Sequence, residues 1–207
     1  MLFFKFKIAS DLNIREIILA ICVLFWTIRL SFFLFQRVKR IGKDERFDNY
    51  KFSFSKFLLA WMTQGLWVFI CLFPILIVFS SPANDEIKYL TFGGLIYLMG
   101  LLIEIIADYQ KTIHNKINTR ERKFISSGLW SRSRHPNYFG EFLIWAGITI
   151  ICFPVLSGFK YLALITPIFI FFLLNYISGV NLLEERAKEK WGNNPDYQKY
   201  LKITPKF

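Results

Sequence analysis

Five stretches of this chain are each long and apolar enough to cross a bilayer as a helix. They lie near residues 16–36, 57–80, 89–107, 138–157 and 161–181. About 20 apolar residues span the hydrocarbon core. In that core every backbone polar group must be paired inside the protein, which a helix does within its own segment. The expected fold is an all-α polytopic transmembrane helix bundle with about five spans, a single integral membrane domain over residues 1–207. Pro74, Pro154 and Pro167 fall in or near these spans. Membrane helices tolerate such kinks where neighbours re-satisfy the freed carbonyls.

The loops carry the orientation. Residues 37–56 hold seven Lys/Arg and residues 108–137 hold seven more. Six follow Glu184 in the tail, while the alternating loops 81–88 and 158–160 hold one each, Lys88 and Lys160. Basic residues stay on the cytoplasmic side. The alternation predicts an integral membrane protein with an outside N-terminus and a cytoplasmic C-terminus. The net charge of +11 then has an explanation that needs no nucleic acid, because anionic lipids attract juxtamembrane Lys and Arg. Cys22, Cys71 and Cys152 sit in apolar runs without paired spacing, so disulfides and cysteine metal sites are not expected. With His114 and His135 the only histidines, no metal site is expected either.

Ionisable groups near the ends of the spans are the candidates for chemistry, because charge inside a bilayer is costly. Glu104, Asp108 and Lys111 share one helical face at spacings of four and three. Either they wall a cavity or they pair with one another as the helix enters water. The run Ser133-Arg134-His135-Pro136-Asn137-Tyr138-Phe139-Gly140-Glu141 joins a basic loop to the fourth span. Pro136 suits the first turn of a helix. That start, beside Arg132 and Arg134, presents N–H groups and positive charge suited to phosphate or carboxylate. Glu141, one turn in, is expected to face the bundle interior. Asn175 and Asn181 on the fifth span, then Glu184, Glu185 and Arg186, are expected to continue the polar lining. Trp191, Tyr197 and Tyr200 suit the headgroup level or a cover over a bound ligand.

These residues also carry a resemblance. The Arg134–Glu141 run, followed by Trp145 and Gly147, resembles the C-terminal domain of the steroid 5-alpha-reductase superfamily. So do Ala107-Asp108-Tyr109-Gln110-Lys111, Gly128-Leu129-Trp130, Glu184-Glu185-Arg186, Trp191-Gly192 and Pro195-Asp196-Tyr197. Gly42-Lys43-Asp44-Glu45-Arg46-Phe47-Asp48 and Gln64-Gly65 are similar to a bacterial membrane branch of that superfamily. The resemblance implies NADPH-dependent reduction of a carbon–carbon double bond in a lipophilic substrate. It implies a cofactor-binding C-terminal half, 108–207, with Asp108, Arg132, Arg134, His135, Asn137, Tyr138, Glu141, Asn181, Glu184 and Tyr197 toward the cofactor. The substrate-side Glu and Tyr of the steroid reductases lie upstream and have no counterpart that the sequence identifies. A rival of related fold, the isoprenylcysteine carboxyl and phospholipid methyltransferases, shares an Arg-His-Pro-x-Tyr element and binds S-adenosylmethionine there. A non-catalytic membrane scaffold is the third reading. The arginines favour a phosphorylated ligand.

Overall fold

The computed structural model describes residues 12–41, 52–82, 86–117, 123–177 and 179–207. The 42–48 stretch quoted above lies outside them, as do Lys51, Arg120 and Arg122 of the basic loops. The described residues are helical, with no strand among them, and five stretches are long and apolar enough to cross a membrane.

Four crossings follow the expected windows. They are α1 (Ile14–Ile41), α2 (Phe54–Phe79), α3 (Ile87–Ile117) and α4 (Pro136–Cys152), the last continued by a 3-10 turn at Phe153–Val155. Helix α1 opens with a reciprocal cap: Glu16 N–H donates to Asn13 Oδ1 and Asn13 N–H to a Glu16 carboxylate oxygen, both at 3.0 Å. This Asn-x-x-Glu box satisfies two of the donors that a helix start leaves orphaned. Helix α3 has 31 residues. At 1.5 Å per residue it is about 46 Å long, well beyond a hydrocarbon core of about 30 Å.

The fifth crossing departs from a single span. A 3-10 segment (Gly158–Leu164) leads into α5 (Ile165–Phe172), and a π-helical turn (Leu173–Ile177) follows. A new helix, α6 (Val180–Trp191), then starts after Gly179, and α7 (Pro195–Ile203) closes the chain. Asn181 and Glu184 thus ride on α6 rather than on a continuous fifth span.

Helices α3 and α4 form the tightest pair, running antiparallel. A Cβ on Gly93 would come within 2.6 Å of the Gly147 carbonyl oxygen, and one on Gly100 within 2.6 Å of that of Gly140. Both helices therefore offer a glycine every seven residues, two turns apart on one face. In lipid, where apolar burial does not drive helices together, such small residues let backbones approach and gain dispersion contact. Ile144, Ile148 and Ile151 fill the remainder of that face and are fully buried.

Candidate functional site

Polar side chains gather at one end of the bundle, where α3 ends and α4 begins. The linker between them is fixed by side-chain bonds to backbone. Trp130 Nε1 donates to Ala107 O at 3.1 Å, Leu129 N–H donates to Gln110 Oε1 at 3.0 Å, and Tyr200 Oη donates to Trp130 O at 2.7 Å. Gly128 holds φ +64, and the Gln110 amide fills the space where a Cβ would stand. The tail runs alongside. Arg134 N–H donates to Pro205 O (2.9 Å) and His135 N–H to Lys206 O (3.2 Å), while Ser133 Oγ donates to Lys206 O (2.9 Å).

Two clusters result. The outer one centres on Glu184. Arg134 Nη2 lies 3.1 Å and His135 Nε2 3.3 Å from Glu184 Oε1, and Lys206 Nζ lies 3.7 Å from Oε2. His135 is 7% exposed and stacks on Tyr138 at 5.8 Å. Burial holds its pKa down to about 4; Glu184 pulls the other way, while Lys111 and Arg134 add to the lowering. The ring is neutral at physiological pH, and in the tautomer protonated at Nε2 it donates to the carboxylate. An open pocket of about 230 Å³ adjoins this cluster, lined by Arg134, Asn181, Glu184, Glu185, Lys188, Tyr197 and Leu201.

The inner cluster lies within the bundle. Arg29 of α1 bridges Glu104 and Asp108 of α3, the second at 3.4 Å. Glu141 of α4 accepts from two indoles, Trp26 Nε1 at 3.0 Å and Trp145 Nε1 at 2.9 Å. Those rings meet edge to face, 5.1 Å apart. Two carboxylates thus share one guanidinium and a third rests on two indoles, each acid being at most 9% exposed.

The sequence expectations divide along this line. Arg134, Asn181, Glu184 and Tyr197 come together at the pocket. His135 and Tyr138 stand behind it, His135 through its contact with Glu184. Asp108 and Glu141 belong to the inner cluster, already held by Arg29 and the indoles. Arg132 is exposed and Asn137 half-buried, and neither lines the pocket. The reason for Arg132 is local: it caps the 3-10 turn Gly128–Ser131, which turns it to solvent. Asn175 is also corrected. It does not line the pocket, and its amide donates back to Phe171 O of α5 at 2.8 Å. The tail aromatics are not headgroup anchors as a set. Phe124 packs against Trp191, Tyr197 and Tyr200 at 5.1–6.1 Å, and Tyr197 is 4% exposed. Burial raises the Tyr200 phenol to about 12 and pushes that of Tyr197 upward too. Lys111 sits 4.9 Å over the Trp130 ring.

Sequence reasoning missed Arg29 and Trp26. The signal was there: Arg29 is a lone arginine within an apolar window, and such a charge is expensive unless paired inside the bundle.

A family profile described as "Protein of unknown function (DUF1295)" matches residues 1–204. The chain belongs to the DUF1295 family. No curated protein and no solved structure matches it. The match of this DUF1295 chain covers the inner cluster and the Arg134–His135–Glu184 part of the outer one.

The residues present fit one part of a nucleotide cofactor. Arg134 keeps a buried Nε–H without a partner, and Lys188 stands at the rim. A charged N–H group of this kind suits a phosphate oxygen. The pocket is smaller than the 300–1,000 Å³ typical of small-molecule sites. A pocket of this size has room for the polar end of a dinucleotide and not for the whole.

Proposed function

We propose that the protein is a membrane-embedded, NADPH-dependent reductase of a carbon–carbon double bond in a lipophilic substrate. The cytoplasmic side carries the Arg134–Glu184 end, with the N-terminus outside, in a bacterial inner membrane. The observation behind this reading is the outer cluster: Arg134, with one N–H unspent, beside a polar pocket at the start of α4. The steroid 5-alpha-reductase-like pattern of the Arg134–Glu141 run supports it. NADPH would supply a hydride, and a proton from an acid would complete the reduction of the double bond. On this reading Arg134 and Lys188 hold the phosphate end, Asn181 and Tyr197 line the ribose side, and Glu184 orients Arg134 and His135. The apolar substrate reaches the site from the bilayer, with which the outer faces of the spans are in contact.

A second reading draws on the acids. Glu184 and Glu185 balance the two pocket cations, and Glu104, Asp108 and Glu141 outnumber Arg29. Such a surplus of carboxylates suits a cationic ligand, as S-adenosylmethionine is, and so a lipid methyltransferase.

Titrating NADPH and S-adenosylmethionine into purified protein in detergent, by calorimetry or fluorescence, separates the two. NADPH binding alone is the expected outcome. Binding of S-adenosylmethionine alone sinks the reductase. Silence with both leaves a non-catalytic membrane scaffold.

A further inference from the structure

Arg15 is the second residue of α1, at the end of the bundle opposite the pocket, and it is 2% exposed. Its Nη2 donates to Glu86 O at 3.0 Å, just before α3 begins. Its Nε and Nη1 are buried and have no hydrogen-bond partner. The acids closest in the chain are engaged elsewhere. A Glu16 carboxylate oxygen accepts from Asn13 N–H, and Glu86 Oε2 lies 3.2 Å from Lys88 Nζ. Arg29 and Arg134 each keep one unmet N–H as well, but each faces a carboxylate. Of these three buried arginines, only Arg15 combines unmet donors with a charge that no described carboxylate pairs.

A buried guanidinium is costly unless both its charge and its donors are met. The end of α4, where the Arg15 charge reaches Cys152, offers a negative dipole end, but α1 and α3 both start here with positive ones. The missing partner is therefore an anion. A water would meet a donor and leave the charge; a phosphate oxygen meets the donor and balances the charge together.

The place of Arg15 favours a lipid as the source of that phosphate. The α1 span has 23 residues. At 1.5 Å each it is about 34 Å long, against a hydrocarbon core of about 30 Å, so its first turn lies at headgroup level. Ile14 and Ile87, next in the chain to Arg15 and Glu86, are 60% and 68% exposed. Ile17 and Ile21 continue the exposed face of α1 at spacings of three and four. Acyl chains can lie along those side chains while the phosphate reaches between the starts of α1 and α3. An ordinary headgroup anchor is exposed, as the Lys88 side chain is at 73%. Arg15 is instead held inside, with one N–H already spent on the backbone.

The geometry points to a phosphate site at Arg15, between the starts of α1 and α3, that holds the phosphodiester of a membrane phospholipid. It lies at the far end of the bundle from the Arg134–Glu184 pocket and does not depend on which cofactor that pocket takes.

Phosphatidylglycerol, diacylglycerol with the same chains, and inorganic phosphate are each titrated into delipidated protein in a neutral detergent, with the melting temperature as readout. The melt should rise with phosphatidylglycerol and stay with diacylglycerol, which lacks the phosphate. Basic loops elsewhere also attract anionic lipid, so the dependence on Arg15 carries the test. Arg15→Met keeps the apolar stem and removes the donors and the charge. It should raise the lipid concentration that gives half the effect by about tenfold or more, as loss of a hydrogen bond to a charged group implies. Lys88→Met, at the same end but exposed, should leave it unchanged. If Arg15→Met does not fold, Arg15→Lys keeps the charge with fewer donors and should still weaken the response. The same rise with inorganic phosphate alone, again dependent on Arg15, keeps the phosphate site and makes a free anion its source. No rise with either phosphate compound, or a rise equal in wild type and the Arg15 variants, overturns the site. The measurement needs no cofactor, so it is decided separately from the NADPH titration.

Discussion

Gly100 and Gly140 face each other across α3 and α4 so closely that a Cβ on either would come within 2.6–2.7 Å of the other's carbonyl oxygen. Neither backbone can retreat without separating the helices along their whole length. Gly100→Ala or Gly140→Ala should therefore lower stability by about 1–3 kcal/mol, the cost of overpacking. Gly94→Ala, on the same helix with nothing within 4 Å, should be neutral or stabilising through helix propensity. Thermal melts of the three variants in one detergent check the contrast; equal effects would contradict the packing.

Glu141 accepts one indole N–H on each oxygen. Glu141→Gln keeps the shape but turns one acceptor into a donor that faces an indole donor. The expected loss is about 1–3 kcal/mol, with a change in tryptophan emission from Trp26 and Trp145. An unaltered melt and spectrum would mean that the indoles do not depend on the carboxylate.

His135 gives the protein a dependence on pH. Its pKa in the folded chain is near 4, held there mainly by burial, against about 6.5 when exposed. Between those values the unfolded chain binds a proton that the folded chain does not. Stability is therefore full above about pH 6.5 and falls as the pH drops toward 4. Melting temperatures across that window should decline, and His135→Gln should flatten the decline.

Arg134 and Arg132 should separate cleanly. Arg134 lines the pocket with an unspent N–H, whereas Arg132 is exposed outside it. If NADPH is the ligand, Arg134→Ala should weaken it by about 1.5–3 kcal/mol, and Arg132→Ala should leave the affinity as it is. Calorimetric titration of both variants decides it.

The tail fastens the start of α4 through backbone, not charge. Ending the chain at Thr204 removes the carbonyls that accept from Arg134 N, His135 N and Ser133 Oγ. The expected loss is about 1–3 kcal/mol for each donor left buried. Lys206→Ala keeps those carbonyls and loses only a half-exposed ion pair at 3.7 Å, so it should cost under about 1 kcal/mol.

Much of this was legible in the sequence because it rests on length and local pattern. Twenty apolar residues make a span, and Pro136 after a basic loop makes a helix start. The Arg134–Glu184 meeting was approachable because both ends bear charge beside apolar runs. What escaped is tertiary. Nothing local to Arg29 says that Glu104 and Asp108 will receive it from another helix. The break after Leu173–Ile177 escaped because Asn175 and Gly179 are compatible with a continuous membrane helix, and the non-helical backbone of Gly179, at φ −125 and ψ −101, shows only in the structure. Arg132 was grouped with Arg134 on charge alone, which does not register that a 3-10 turn points neighbouring side chains apart.

The break in the fifth crossing has an electrostatic consequence. It makes α6 begin beside α4, with Gly179 against the Tyr138 ring and Glu184, one turn into α6, against His135. Two peptide macrodipoles thus converge with their positive ends together. Part of the positive potential at this end of the bundle is carried by the backbone itself, beyond what the side chains supply. No single substitution can remove it, and straightening the fifth crossing into one helix would remove the share of α6, leaving that of α4 and every charged residue in place.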